Sequence, residues 1–132
     1  MDAVSPVVTR IAAVAAGGAV GAVCRYGLTL ALNRIAPPIP FGTLTANVVG
    51  CFLIGFLAAL ATGPWLLREE LRLLVLVGFL GGLTTFSALG LEVVSMAENA
   101  QRTPAIGYLL LTNGAGLLAV WVGYRLAQRV GA

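Results

Sequence analysis

The sequence predicts an all-α membrane protein with four transmembrane helices, and three observations carry that prediction. The chain of 132 residues is 59% hydrophobic and only 10% charged, whereas a soluble domain typically carries about 25% charged residues. Its apolar residues gather into four runs, at about residues 11 to 32, 41 to 67, 71 to 97 and 104 to 127. Each run can hold the ~20 helical residues that cross a hydrocarbon core about 30 Å thick. The connectors NRIAPPIP, LLREELR and ENAQRTP are short, so residues 1–132 read as one four-helix domain without a soluble catalytic domain.

The first run follows a stretch containing Asp2 and Arg10 and exceeds the usual length of a signal peptide. With three comparable runs after it, it reads as a retained helix. Gly17 and Gly21 form a small-xxx-small pair that lets a neighbouring backbone approach. Arg25, further along the same helix, either pairs with Glu92, caps backbone groups or snorkels to an interface. Pro37, Pro38 and Pro40 stiffen the turn into helix 2 without removing interior helix bonds.

Helix 2 opens on FGTLTA and carries Asn47, whose amide either donates to a dehydrated anion or bonds a neighbouring helix. Gly63 and Pro64 end its strongest part, and WLLREELR after them reads as interfacial. Helix 3 contains the unusual stretch VGFLGGLTTFSALGLEVV, with a second small-xxx-small pair at Gly78 and Gly82. A local break at GGLTT would free carbonyls that cannot face lipid but can coordinate a cation or line a protein interior. Carbonyl oxygens suit a hard alkali cation.

Phe86 is either core packing or an aromatic edge, relatively electropositive, presented to an anion. Glu92 is the ionisable group that a proton-coupled transporter would use. In helix 4, Pro104 is suited to the first turn. Tyr108 and Thr112 lie four apart, with their hydroxyls on one side, although a tyrosine so near the helix start also suits an interface.

The charge pattern excludes several functions. A formal net charge of +3 is spread over helix ends, without the dense basic cluster of a nucleic-acid binder, and phospholipid headgroups are the economical partner for the arginines. Cys24 and Cys51 fall inside predicted helices as small buried side chains, and the chain has no histidine to build a zinc site. Neither a nucleotide-binding motif nor an activated nucleophile is present, so no enzyme is expected. Arg10, Arg68, Arg72, Arg125 and Arg129 fall on one side of the membrane, against Arg34 and Arg102 on the other. This bias mildly favours an N-terminus inside and leaves insertion in both orientations open. A unit this small encloses a water-filled path poorly by itself, so self-association through glycine-rich faces is expected.

Four segments in order, GGAVGAVCRY, FGTLTANVVGCFLIG, GFLGGLTTFSALGLE and YLLLTNGAG, resemble the Fluc/CrcB family of fluoride channels over nearly the whole chain. The resemblance implies an antiparallel, dual-topology dimer with fluoride paths at the subunit interface and a break in helix 3. It assigns Asn47, Phe86, Ser87, Tyr108 and Thr112 to the fluoride pathway, and matches Arg25 and Glu92 to the family's polar positions in helices 1 and 3. Gly81 and Thr84 become the residues whose backbone carbonyls, repeated by a second subunit, enclose a structural sodium ion. The family pattern TTFSTFS is TTFSALG here, so Ala88, Leu89 and Gly90 replace a hydroxyl residue, the second phenylalanine and a serine. Leu89 keeps an apolar constriction without an aromatic edge.

The expected function is therefore a passive fluoride channel of a prokaryotic cytoplasmic membrane, exporting fluoride and lowering its concentration inside. Two alternatives stand beside it. One is a small dual-topology multidrug transporter; the other is a nonconducting subunit that works only with a paralogous chain.

Overall fold

The apolar runs form four long helical spans in the computed structural model, which describes residues 5–61 and 68–131. Helix α1 (Pro6–Leu32) opens with proline at its first position, where the missing N–H would have no intrahelical partner anyway. Helix α2 (Phe41–Ala61) starts directly after the proline-rich connector. The third span, Glu69–Glu98, is two helices, α3 at residues 69–83 and α4 (Phe86–Glu98). Helix α5 (Arg102–Val130) completes the bundle. All four spans are long and apolar enough to cross a membrane. Helix α1 begins earlier than its apolar run predicts, while Gly63, Pro64 and the start of WLLREELR lie outside the described residues. The rest of that segment, from Glu69, is the first turn of α3.

Glycine determines how these helices meet. A Cβ on Gly17 would collide with the Leu74 carbonyl oxygen, and one on Gly21 with that of Phe79; Gly78 and Gly82 face the Val14 and Gly18 carbonyls in the same way. Both small-xxx-small pairs are thus engaged with each other inside one chain, joining α1 to α3. This corrects the expectation that they drive self-association. On the other side of the bundle, Gly55 against Val120 and Gly123 against Phe52 bring α2 and α5 equally close. Within α3, residues Leu73–Phe79 adopt a π-helix, a widened form that occurs often at functional sites. No local residue pattern announces it.

Two small clusters form the interior, one around Leu89, Met96, Ala105 and Tyr108 and the other around Ala46, Leu80 and Leu83. Large apolar side chains such as Leu91, Ile106, Leu117 and Trp121 point outward, the arrangement required when lipid or another subunit is the surrounding solvent. At one end Arg10 pairs with Glu69 at 2.8 Å. Both partners are about half exposed, so the pair contributes at most about 1 kcal/mol.

Candidate functional site

The break in the third span is built from Thr84 and Thr85, both extended, with φ/ψ of −85°/151° and −153°/126°. Two extended residues in a membrane helix leave backbone groups without helical partners, which hydrocarbon cannot satisfy. Side chains replace those partners. Asn47 Oδ1 accepts from the Thr85 N–H at 2.7 Å, and its Nδ2 donates to the Thr85 carbonyl at 3.0 Å. The Thr85 hydroxyl caps α4 by accepting from Ala88 N–H at 3.1 Å, and lies 3.2 Å from the Ser87 hydroxyl. Thr84 Oγ1 donates back to the Leu80 carbonyl at 2.9 Å, and Arg25 Nε donates to the Gly82 carbonyl at 3.2 Å.

After this repair, no hydrogen bond among the described residues reaches the carbonyl oxygens of Gly81 or Thr84. A Cβ on Gly81 would meet nothing within 4 Å, and the residue lies on the exposed side of α3.

An open-sided cavity of about 390 Å³ adjoins the break. Asn47, Gly81, Thr84, Phe86 and Thr112 all line it, so five of the sequence-predicted site residues meet there. Phe86 stands at 75% exposure, which rules out core packing within the chain. Thr112 is 3% exposed, and its Oγ1 has no hydrogen-bond partner among the described residues. A buried hydroxyl of this kind is normally partnered by protein or water, and Thr112 is a residue of the cavity wall.

The other predicted residues lie nearby in different settings. Tyr108 is fully buried and donates to Glu92 Oε2 at 2.7 Å; Thr43 donates to Glu92 Oε1, also at 2.7 Å. This hydroxyl–carboxylate–hydroxyl bridge ties α4 to both α2 and α5. Glu92 also lines a second cavity of about 450 Å³ with Pro38, Pro40, Ser95 and Asn99. Arg25 and Glu92 have separate partners rather than each other. Ser87 is exposed beside Thr85.

Sequence reasoning missed Thr43. Thr43 precedes Asn47 by one helical turn, and that spacing was the available signal. The cysteines also differ from expectation: Cys24 is exposed on α1, and Cys51 is half-buried in the cavity wall, because the side of α1 that packs is taken by its glycines. Among the described residues no group of three or more His, Cys, Asp or Glu could hold a metal ion.

Four membrane-length helices, one broken at mid-span beside a largely apolar cavity that carries a few polar side chains, define a small multi-pass membrane transport protein. Residues 12–124 match the family model described as CrcB-like protein, Camphor Resistance (CrcB). Relatives named fluoride-specific ion channel FluC include one from Rhizobium etli CFN 42, 45% identical over 87% of this chain and 93% of its own length. Another, from Chlorobium phaeobacteroides BS1, is 43% identical over 87% and 90%, and one from Chloroflexus aurantiacus J-10-fl is 41% identical over 92% and 98%. The chain belongs to the CrcB/FluC family, a family of membrane channels rather than enzymes.

Proposed function

We propose that this chain is a passive, fluoride-selective channel of the cytoplasmic membrane that lets fluoride leave the cell. The observation that carries the reading is the cavity joining the partnerless Thr112 hydroxyl, the exposed Phe86 ring and the Asn47 amide. A small anion shedding water needs donors in its place, and several weak sites in sequence let it move on. Asn47 retains one N–H beyond those holding Thr85, Thr112 offers its hydroxyl, and Phe86 offers a ring edge. Tyr108 and Ser87, which lie outside the lining of this cavity, join the route by the family resemblance. Arg25 and Glu92 act as structural polar groups, holding the break and the α2–α4–α5 junction.

The working unit in this reading is an antiparallel homodimer. The cavity is open-sided, and Gly81 and Phe86 at its margin are exposed, so a second copy would close the path. The carbonyls of Gly81 and Thr84 fit a structural sodium ion: they lack hydrogen-bond partners, are oxygen ligands, and would be doubled by the second subunit. When bound, sodium supplies positive charge that neutralises these carbonyl dipoles.

Vesicle assays separate this function from its rivals. Fluoride flux driven by membrane potential without a proton requirement supports the channel, whereas proton-dependent uptake of a cationic drug supports a multidrug transporter. Flux only after coexpression with a related chain assigns the protein to a heterodimer. Labelling the termini from each membrane face tests the dimer: both orientations are expected, and one orientation alone in functional preparations would refute the antiparallel homodimer.

A further inference from the structure

Cys51 lies one helical turn beyond Asn47 on α2 and lines the same cavity as Asn47 and Thr112. Gly116 lies one turn beyond Thr112 on α5 and lines that cavity too. Residues four apart share a helix face, and the two helices start from the same end of the bundle. The row formed by Tyr108 and Thr112 therefore reaches Gly116, where it lacks a side chain. Cys51 Sγ is 3.3 Å from the point that a Cβ on Gly116 would occupy. The sulfur fills the space that the glycine leaves.

We infer that the Cys51 thiol is a further group on the anion route, continuing from α2 the row of donors that α5 discontinues at Gly116. This rests on the channel function proposed above and adds a residue to its pathway. Thr112, whose buried hydroxyl has no hydrogen-bond partner among the described residues, lines the same cavity, and a buried hydroxyl normally has such a partner. A thiol is a weak S–H donor. Such a donor suits a late station, where an anion must be held loosely enough to leave.

The position also makes Cys51 a site for small thiol-specific reagents. Methyl methanethiosulfonate is suitable because it is compact and uncharged. The Cys51 sulfur, its proton released to water, attacks the reagent's sulfenyl sulfur; a mixed disulfide forms and methanesulfinate leaves. The product carries an S-methyl group in the cavity, and dithiothreitol removes it by thiol–disulfide exchange.

The experiment uses a Cys24→Ser chain, leaving Cys51 as its sole thiol, purified and reconstituted in liposomes. Fluoride efflux, intact mass and oligomeric state are read on the same sample. The expected result is full single labelling, efflux reduced to that of protein-free vesicles with assembly unchanged, and recovery after dithiothreitol. Cys51→Ser should conduct, while Cys51→Val, similar in bulk but without a donor, should lose most of its flux. Normal efflux through fully labelled protein would overturn the inference, as would failure of Cys51 to label or loss of flux only with loss of assembly. Absence of fluoride flux before any labelling would defeat the channel function itself, and this inference with it.

Discussion

The Asn47 carboxamide holds the Thr85 backbone by both of its polar groups, accepting from the N–H at 2.7 Å and donating to the carbonyl at 3.0 Å. A side chain thereby gives the Thr85 N–H the partner that the helix break removes and adds a bond to the Thr85 carbonyl, the N-cap carbonyl of α4. Asn47 joins two roles, bracing the break and offering its remaining N–H to the cavity, so its replacement should affect stability and conduction together. Asn47→Leu leaves the Thr85 N–H without a partner, at about 1–3 kcal/mol. Flux should fall to background and thermal stability in detergent should drop; retention of both would remove Asn47 from either role.

Phe86 separates pathway from packing more cleanly. With its ring 75% exposed, Phe86→Ile should change subunit stability by less than about 1 kcal/mol, as surface substitutions do. Fluoride efflux should nevertheless collapse because the aromatic edge is gone. Near-normal efflux with intact assembly would exclude the ring from the route.

Leu89 does not behave as a free position for restoring the family's second aromatic. It is 2% exposed and packs in the cluster containing Tyr108. Leu89→Phe should therefore destabilise the protein by about 1–3 kcal/mol through overpacking. Unfolding midpoints of wild type and variant test this directly, and an unchanged midpoint would mean that the ring turns into the cavity.

The Thr43–Glu92–Tyr108 bridge should act as a coupled unit. Thr43→Val and Tyr108→Phe each remove one donor to the carboxylate, with an expected loss of about 1–3 kcal/mol. A double-mutant cycle should show non-additivity, since both donors serve one group. Strict additivity would indicate that the two bonds act independently.

Adjacent glycines provide a further contrast. Gly82→Ala would drive a methyl group into the Gly18 carbonyl, whereas the same methyl on Gly81 meets nothing in its own chain. Gly82→Ala should impair folding, while Gly81→Ala should leave the subunit folded and weaken self-association. Size-exclusion chromatography with light scattering distinguishes these results; equal dimer stability in Gly81→Ala and wild type would place that face away from the interface.

The four spans were legible in the sequence because burial in lipid requires long apolar runs, and the connectors marked their ends with proline and charge. The family motifs pointed to the break, and polar residues at membrane depth identified the polar part of the cavity wall. Other features depend on which helix faces which. The pairing of Gly17 and Gly21 with Gly78 and Gly82 within one chain, the clasp of Asn47 on Thr85 and the approach of Cys51 to Gly116 are tertiary relations. Spacing within one helix places residues on a common face but does not specify the opposing element.

Potential-driven fluoride efflux from liposomes containing only this purified chain tests the proposed function most directly. With the proton gradient collapsed and chloride measured alongside, rapid fluoride release and little chloride release are expected. Vesicles that release fluoride no faster than protein-free controls, despite holding correctly assembled protein, would contradict self-sufficient fluoride conduction.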